Sequence, residues 1–276
     1  MNNETVVRKE RGRGSHQPQV VVPLTGGENL ETVLTFAGYL AESRNSDVTL
    51  LDVVLESEVT SEDFGYMEGD IEVAGIEYRY RDELPVPLNS FVREGKDFFT
   101  VVQDVVDGID AEAVVYGPVD SERYGSEMER KLLEDLDCDT VLVNYDGGTD
   151  DAEELLLPVS KGPHSNLALI VGDILSLNTK ADIELLHVME EDDKEWSKEL
   201  LMGYRNSMLT EASVTSKVVD AGSVSEKILE MSDNYDLTVT GAPNQGLLSR
   251  FIFSSRSQKI IDGAEGQVVA VNAESQ

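Results

Sequence analysis

The chain is poor in the residues that build most reactive centres. Its 276 residues include one cysteine, Cys138, and three histidines, His16, His164 and His187. A single cysteine excludes an internal disulfide and a thiolate metal cluster. The histidines share no metal-ligand spacing. Basic residues are scarce as well: 22 Lys and Arg stand against 54 Asp and Glu, a net charge of −32. So negative a surface makes duplex nucleic acid an unsuitable partner for the body of the protein. No apolar run approaches the roughly 20 residues of a membrane-spanning helix, and the N-terminus has no apolar signal region. The expectation is a cytoplasmic protein without membrane insertion. No Gly-x4-Gly-Lys-Ser/Thr phosphate loop occurs, and no Ser-His-Asp or Cys-His arrangement has an argument behind it.

What the chain has in excess is acid. At low ionic strength such a surface repels itself and disfavours compaction. Molar salt shortens the Debye length to about 3 Å and screens that repulsion. The charge therefore points to a salt-rich cytosol, as in a halophilic archaeon; an acidic protein of an ordinary cytosol is the alternative. Residues 1–18 depart from the trend. Arg8, Lys9, Arg11 and Arg13 lie among Gly12, Gly14 and Ser15, which reads as a flexible basic tail.

The length suits two domains of about 130 residues each, and the sequence repeats itself accordingly. "QVVVPLTGG" (19–27) matches "ELLLPVSKG" (154–162), with Pro23 over Pro158 at an offset of 135 residues. "VTLLDVV" (48–54) matches "IELLHVM" (183–189) at the same offset. Gly95 then falls over Gly222 and Gly117 over Gly241. "DTVLVN" (139–144) falls over "QVVAVN" (267–272). Five blocks in one order imply a duplication into units 19–146 and 153–276, joined through the polar "YDGGTDDA". The strands are short and rich in Val, Leu and Ile, as buried parallel strands are. Helical patterns separate them, so each unit reads as an α/β, doubly wound parallel-sheet domain. In "DDKEWSKELLMGYRNSMLTEA", Trp196, Leu200 and Met208 share a helix face, which assigns Trp196 to the core. The first unit has eight extra residues before Gly95, within an acidic, turn-rich insertion at 57–90. There "IEYRYR" alternates as an exposed strand does.

The ordered blocks resemble the universal stress protein family in its tandem form, over nearly all of residues 19–272. "LLLPVSKGPHS" looks like the family's first strand and turn, "ELLHVME" its second strand, and "VVDAGSVSEKILEMSDNYDLTVTGAP" its third helix and fourth strand. The resemblance implies an adenine-nucleotide alpha-hydrolase-like fold. It also implies two units packed as a pseudo-dimer, with "DTVLVN" and "QVVAVN" meeting at the interface. Members that bind ATP set the base and ribose against the first two strand ends and the phosphates against a closing Gly-x2-Gly-x9-Gly-Ser/Thr loop. Amides at a helix N-terminus face the anion there, and glycines let the backbone approach.

Carried onto this chain, Gly241 and Asn244 match the first two glycines, Ser254 the third, and Ser255 the hydroxyl. Pro158, Val159 and Ser160 match the first turn, where Ser160 stands for the usual Asp. Val188 is the implied adenine contact. Arg256 and Arg250 add positive charge beside the loop. Read without the resemblance, the serines cap a helix and the arginines pair with carboxylates. In the first unit the equivalent loop is four residues shorter and carries Asp120, Glu122, Glu127 and Glu129, while Thr25 stands for the Asp. That unit is expected to bind no nucleotide and to serve as a packing partner.

The resemblance thus implies a non-enzymatic stress-response regulator binding ATP, with Mg²⁺, in the C-terminal unit. A nucleotide-free interaction module for a protein partner such as a transporter is the second reading, and a slow ATPase the third. Intramolecular pairing of the units is expected, and a homodimer is a further form open to such a protein.

Overall fold

A computed structural model describes residues 17–27, 29–57, 65–145, 147–148, 151–189, 194–241 and 267–274, with backbone alone for 65–72. The first half runs β1 (Gln19–Pro23), α1 (Leu30–Arg44), β2 (Asp47–Leu55), α2 (Gly65–Tyr80), β3 (Leu88–Gly95), α3 (Phe98–Ile109), β4 (Ala113–Tyr116), α4 (Ser121–Tyr124), α5 (Met128–Glu134) and β5 (Asp139–Asn144). The second runs β6 (Glu154–Pro158), α6 (Pro163–Thr179), β7 (Asp182–Met189), α7 (Lys194–Ser207), β8 (Val214–Asp220), α8 (Val224–Ser232), β9 (Leu237–Gly241) and β10 (Val268–Asn272). All the strands join one sheet in the order β3-β2-β1-β4-β5-β10-β9-β6-β7-β8.

Each half is a parallel five-stranded unit with its first strand central, the doubly wound pattern that the alternating strands and helices predict. The halves meet where β5 and β10 pair antiparallel. Val, Leu and Ala fill the three central pairs of the seam, from Val143–Val269 to Val141–Val271, and Asn and Thr stand at its ends. On one face a single core runs through both halves, from Val20 and Leu34 to Leu185 and Val271. α1 packs on α6 across the seam. Phe36, Tyr39 and Leu40 of α1 and their equivalents Val171, Ile174 and Leu175 of α6 line a small apolar cavity there. On the other face, α3 and α5 cover the first half and α8 packs on the second.

Local chemistry sets the helix ends. Asp97 caps α3 by accepting the Thr100 N–H at 3.0 Å, and Ser223 caps α8 through Glu226 N–H at 3.4 Å. α1 ends on Asn45 in the left-handed region, which Asn tolerates better than most residues.

"IEYRYR" is not a strand; it closes α2 and leads into the following turn. Val73, Ile76 and Tyr80 recur at helical spacing and pack on the shared core, while Tyr78 is exposed. Glu77 and Arg81 form an i,i+4 pair at 2.8 Å. An alternation of apolar and charged residues this short fits either period. A turn follows α2, and Leu84 and Pro85 lie against Gly38 of α1, 3.0 and 3.1 Å from where its Cβ would stand, closer than van der Waals contact. Among the described residues, no helix is long and apolar enough to cross a membrane.

Candidate functional site

The chain leaves β6 outward through β7 and β8, then returns to its other side with β9. The carboxyl ends of β6 and β9 therefore flank the crevice where doubly wound sheets take ligands. Pro158 and Gly241, the last residues of these strands, lie on its two sides.

The turn after β6 is held by two helices and a strand. Val159 N–H donates to Leu186 O at 2.8 Å, extending the ladder by one rung. Val159 O accepts from Nδ1 of His187 at 2.8 Å. A carbonyl can only accept, so this nitrogen carries the ring proton. Ser160 N–H donates to the Ser165 hydroxyl at 3.0 Å, and Ser160 O accepts from the Tyr204 hydroxyl at 2.8 Å. Burial raises the Tyr204 phenol above its ordinary value, so it remains a donor. The backbone of 159–160 is thus oriented before any ligand arrives, while the Ser160 side chain remains exposed. The Val188 side chain packs with Leu156, Leu186 and Ile228 beneath α8.

Gly241 is a packing glycine. A Cβ there would lie 2.8 Å from both the carbonyl carbon and the Cβ of His164, so only glycine lets β9 end against the start of α6. His164 in turn accepts the Ala273 N–H on Nδ1 at 3.0 Å, tying that helix start to the chain beyond β10. Asn244, Ser254, Ser255 and Arg256, the loop positions that the resemblance implies, lie outside the described residues.

Trp196 is not a core residue. It stands half-buried on the first turn of α7, outside the core clusters, with its ring edge-on to His187 at 5.6 Å between centroids. The Lys161 ammonium lies 5.0 Å from the indole centroid. Trp196, Leu200 and Tyr204 recur at i, i+4 and i+8, so one stripe of α7 faces the turn after β6. That spacing could have identified Tyr204 from sequence. Ser165 and Lys161 carry no comparable signal.

The first half shows the same frame with the crevice filled. Leu24 N–H donates to Leu51 O at 2.8 Å, the same rung as in the second half. The segment after β4 then folds onto the turn. Thr25 O accepts the Asp120 N–H at 2.9 Å. A Cβ on Gly27 would lie 2.6 Å from Pro118 O, and one on Gly26 3.2 Å from the Asp120 Cβ. Local carboxylates take the amides: Asp120 accepts from Glu122 and Arg123 N–H at 2.9 and 3.1 Å, and Glu129 from Val119 N–H at 2.8 Å. The acidic residues therefore stand as anions already in place, in addition to the repulsion expected of them.

No protein-family model matches the chain, and neither does any curated protein. Solved structures do. A universal stress protein from Archaeoglobus fulgidus is 14% identical, with 93% of this chain and 98% of that one covered at a TM-score of 0.62. A universal stress protein from Pseudomonas aeruginosa, named as such provisionally, is 12% identical over 95% and 94% at 0.54. The cytoplasmic domain of a prokaryotic cation chloride cotransporter is 12% identical over 94% and 96% at 0.53. Identities this low show the fold, and the chain shares along nearly its whole length the two-unit α/β fold of universal stress proteins.

Proposed function

We propose that the chain is a universal-stress-protein-like regulator that binds one adenine nucleotide per molecule, at the β6–β9 crevice of its C-terminal half. The observation that supports this reading is the contrast between the two crevices. In the first, the chain's own segment 117–120 packs on the turn after β1, with the Val119 N–H taken by the Glu129 carboxylate and the Asp120 N–H by the Thr25 carbonyl. In the second, the turn 158–161 contains no carboxylate, is held in place by His187, Ser165 and Tyr204, and carries Lys161. Such a wall suits an anionic ligand, and ATP fits it in charge. Val159 and Ser160 would face the base and ribose. Asn244, Ser254, Ser255 and Arg256 would serve the phosphates, with Mg²⁺ brought by the nucleotide. The role is binding without turnover.

The test is titration of the full chain with ATP and Mg²⁺ in molar KCl. Micromolar binding of one equivalent, lost in Gly241→Val and Arg256→Glu, is the expected result. No binding up to millimolar ATP sinks the reading. Phosphate release over hours would replace it with an ATPase.

A second reading, a nucleotide-free module acting on a membrane transporter, draws on the fold shared with the cotransporter's cytoplasmic domain. It requires the nucleotide titration to be blank.

A further inference from the structure

The antiparallel seam sets the end of β10 beside the start of β5, with Asn272 opposite Thr140. The next two residues are held by one side chain from each half. Ala273 N–H donates to Nδ1 of His164, at the start of α6, at 3.0 Å. Glu274 N–H donates to Asp139 Oδ1 at 2.9 Å. The other Asp139 oxygen takes the guanidinium of Arg44, on the last turn of α1, at 2.6 Å. Gly241 closes β9 against the His164 backbone, so one residue meets both the end of β9 and the chain beyond β10.

The duplication shows the same contact made without a titrating group. At the offset of 135 residues Asn29 stands for His164, and at 128 Tyr145 stands for Ala273. Asn29 donates from Nδ2 to Val143 O at 2.9 Å and to Tyr145 O at 3.3 Å. Gly117 packs on Asn29 as Gly241 packs on His164. An amide makes this contact at any pH. The imidazole makes its version only while neutral, because the Ala273 N–H can only donate and Nδ1 must offer a lone pair. His164 therefore carries its proton on Nε2, and the positive end of α6 favours the same neutral ring. Among the described residues, Glu274 and Asp139 bring negative charge to this corner and favour the protonated ring. Arg44, paired with Asp139, and Lys161, on the turn before α6, oppose it.

We infer that His164 is a proton-operated latch between the chain beyond β10 and the edge of the β6–β9 crevice. When the ring takes a second proton from solvent, Nδ1 changes from acceptor to donor. It then meets the Ala273 N–H donor to donor, and that bond opens. Asp139 keeps its hold on Glu274, so the segment comes away from α6 and not from β5. The start of α6, on which Gly241 is seated, loses that tie, and acidification loosens this rim of the crevice. The crevice of the first half, tied through Asn29, does not respond. The latch is independent of whether a nucleotide binds.

Amide hydrogen exchange of the full chain in molar KCl, at about pH 7.5 and about pH 5, tests this, since the range spans imidazole titration and stops short of the ordinary carboxylate range. After correction for intrinsic exchange, protection of the Ala273 amide should fall about tenfold on acidification, as loss of one hydrogen bond implies. Protection of Ala270, within the seam, should stay level. In His164→Asn, whose Oδ1 falls where Nδ1 stood, the fall should disappear. Nitrogen NMR of labelled histidine rings should show Nδ1 of His164 unprotonated at the higher pH, with a titration that tracks the loss at Ala273. Protection at Ala273 that ignores pH overturns the inference. So does a fall that survives in folded His164→Asn, or a neutral ring with its proton on Nδ1. Should the variant fail to fold, a ring titration that departs from the loss at Ala273 overturns it, and coincidence of the two supports it.

Discussion

Leu142 lies directly opposite Ala270 at the midpoint of the β5–β10 ladder, whose five pairs run from Asn144–Val268 to Thr140–Asn272. At the internal offset of 128 residues these two are the same position of the repeat. The register is therefore the one that a twofold relation between the halves requires. Leu142 is fully buried, and Ala270 joins it in the core beneath α3 and α5. Leu142→Ala should cost about 2–5 kcal/mol. Because one core crosses the seam, denaturant unfolding in molar KCl should remain a single transition. Circular dichroism showing two steps, with one half surviving the other, would contradict a shared core.

Two glycines should respond oppositely to alanine. Gly241→Ala sets a methyl against the His164 backbone, where a Cβ has 2.8 Å to share. It should destabilise by about 1–3 kcal/mol. Gly203, within α7, has nothing within 4 Å of a built Cβ. Gly203→Ala should stabilise by about 0.5–1 kcal/mol. Thermal melts of the two variants give the comparison, and a loss in both would refute the packing account of Gly241.

Cys138 is buried, and burial together with nearby Asp139 and Glu274 pushes its thiol up to about 12. A thiol-specific disulfide reagent at pH 8 should label the native chain more than about a thousandfold more slowly than the unfolded one. The folded value lies above the unfolded one. The stability linked to the protonated thiol is therefore whole below the ordinary value of about 8.5 and is lost as pH rises toward the folded value. Fast native labelling would show the thiol to be accessible.

The Asp97 cap has the opposite pH sign. Hydrogen bonds from Thr100 hold its carboxyl below the ordinary 3.8. Its contribution is present above that value and lost as pH falls through the lowered one. Asp97→Ala should cost about 1 kcal/mol at neutral pH and progressively less as the solution is acidified below pH 3.8. A cost that stays constant through the acid range would rule out the charged cap.

Salt should stabilise the chain. Pairs such as Arg81–Glu77, Arg130–Glu134 and Lys198–Glu195 are surface contacts between residues three or four apart along the chain. Each is worth about 0.3–0.5 kcal/mol at most, and all weaken with salt. Repulsion among the excess carboxylates of a −32 chain is the larger effect, so screening it should win. The melting temperature is expected to climb from about 0.1 M to about 3 M KCl. A flat or falling curve would remove the halophilic reading.

The sheet was legible because duplication shows each strand twice. Pro23 and Pro158 mark the same strand end, and a block weak in one copy is supported by the other. Residues 76–81 had no such support: the eight-residue excess lies between β2 and β3, and six alternating residues do not distinguish a strand from a charged helix end. Trp196 was misread because a helix face names the residues that face inward without saying what they face. Trp196 and Tyr204 meet the turn after β6, whereas Leu201 meets the core. The filling of the first crevice showed in the sequence as four missing residues and added acid. That Pro118 and Asp120 would press on Gly26 and Gly27 needed coordinates, since the residues are about 90 apart along the chain.

Because β5 and β10 belong to one polypeptide, their pairing cannot be diluted apart. Two separate copies of such a unit would hold this seam only above some concentration, and each would need the same sequence to serve both sides. Covalent linkage replaces that concentration with a fixed local one. It also releases the two copies from having to stay alike. One crevice could be packed shut with its own carboxylates while the other kept a cation, and the seam between them was never at risk.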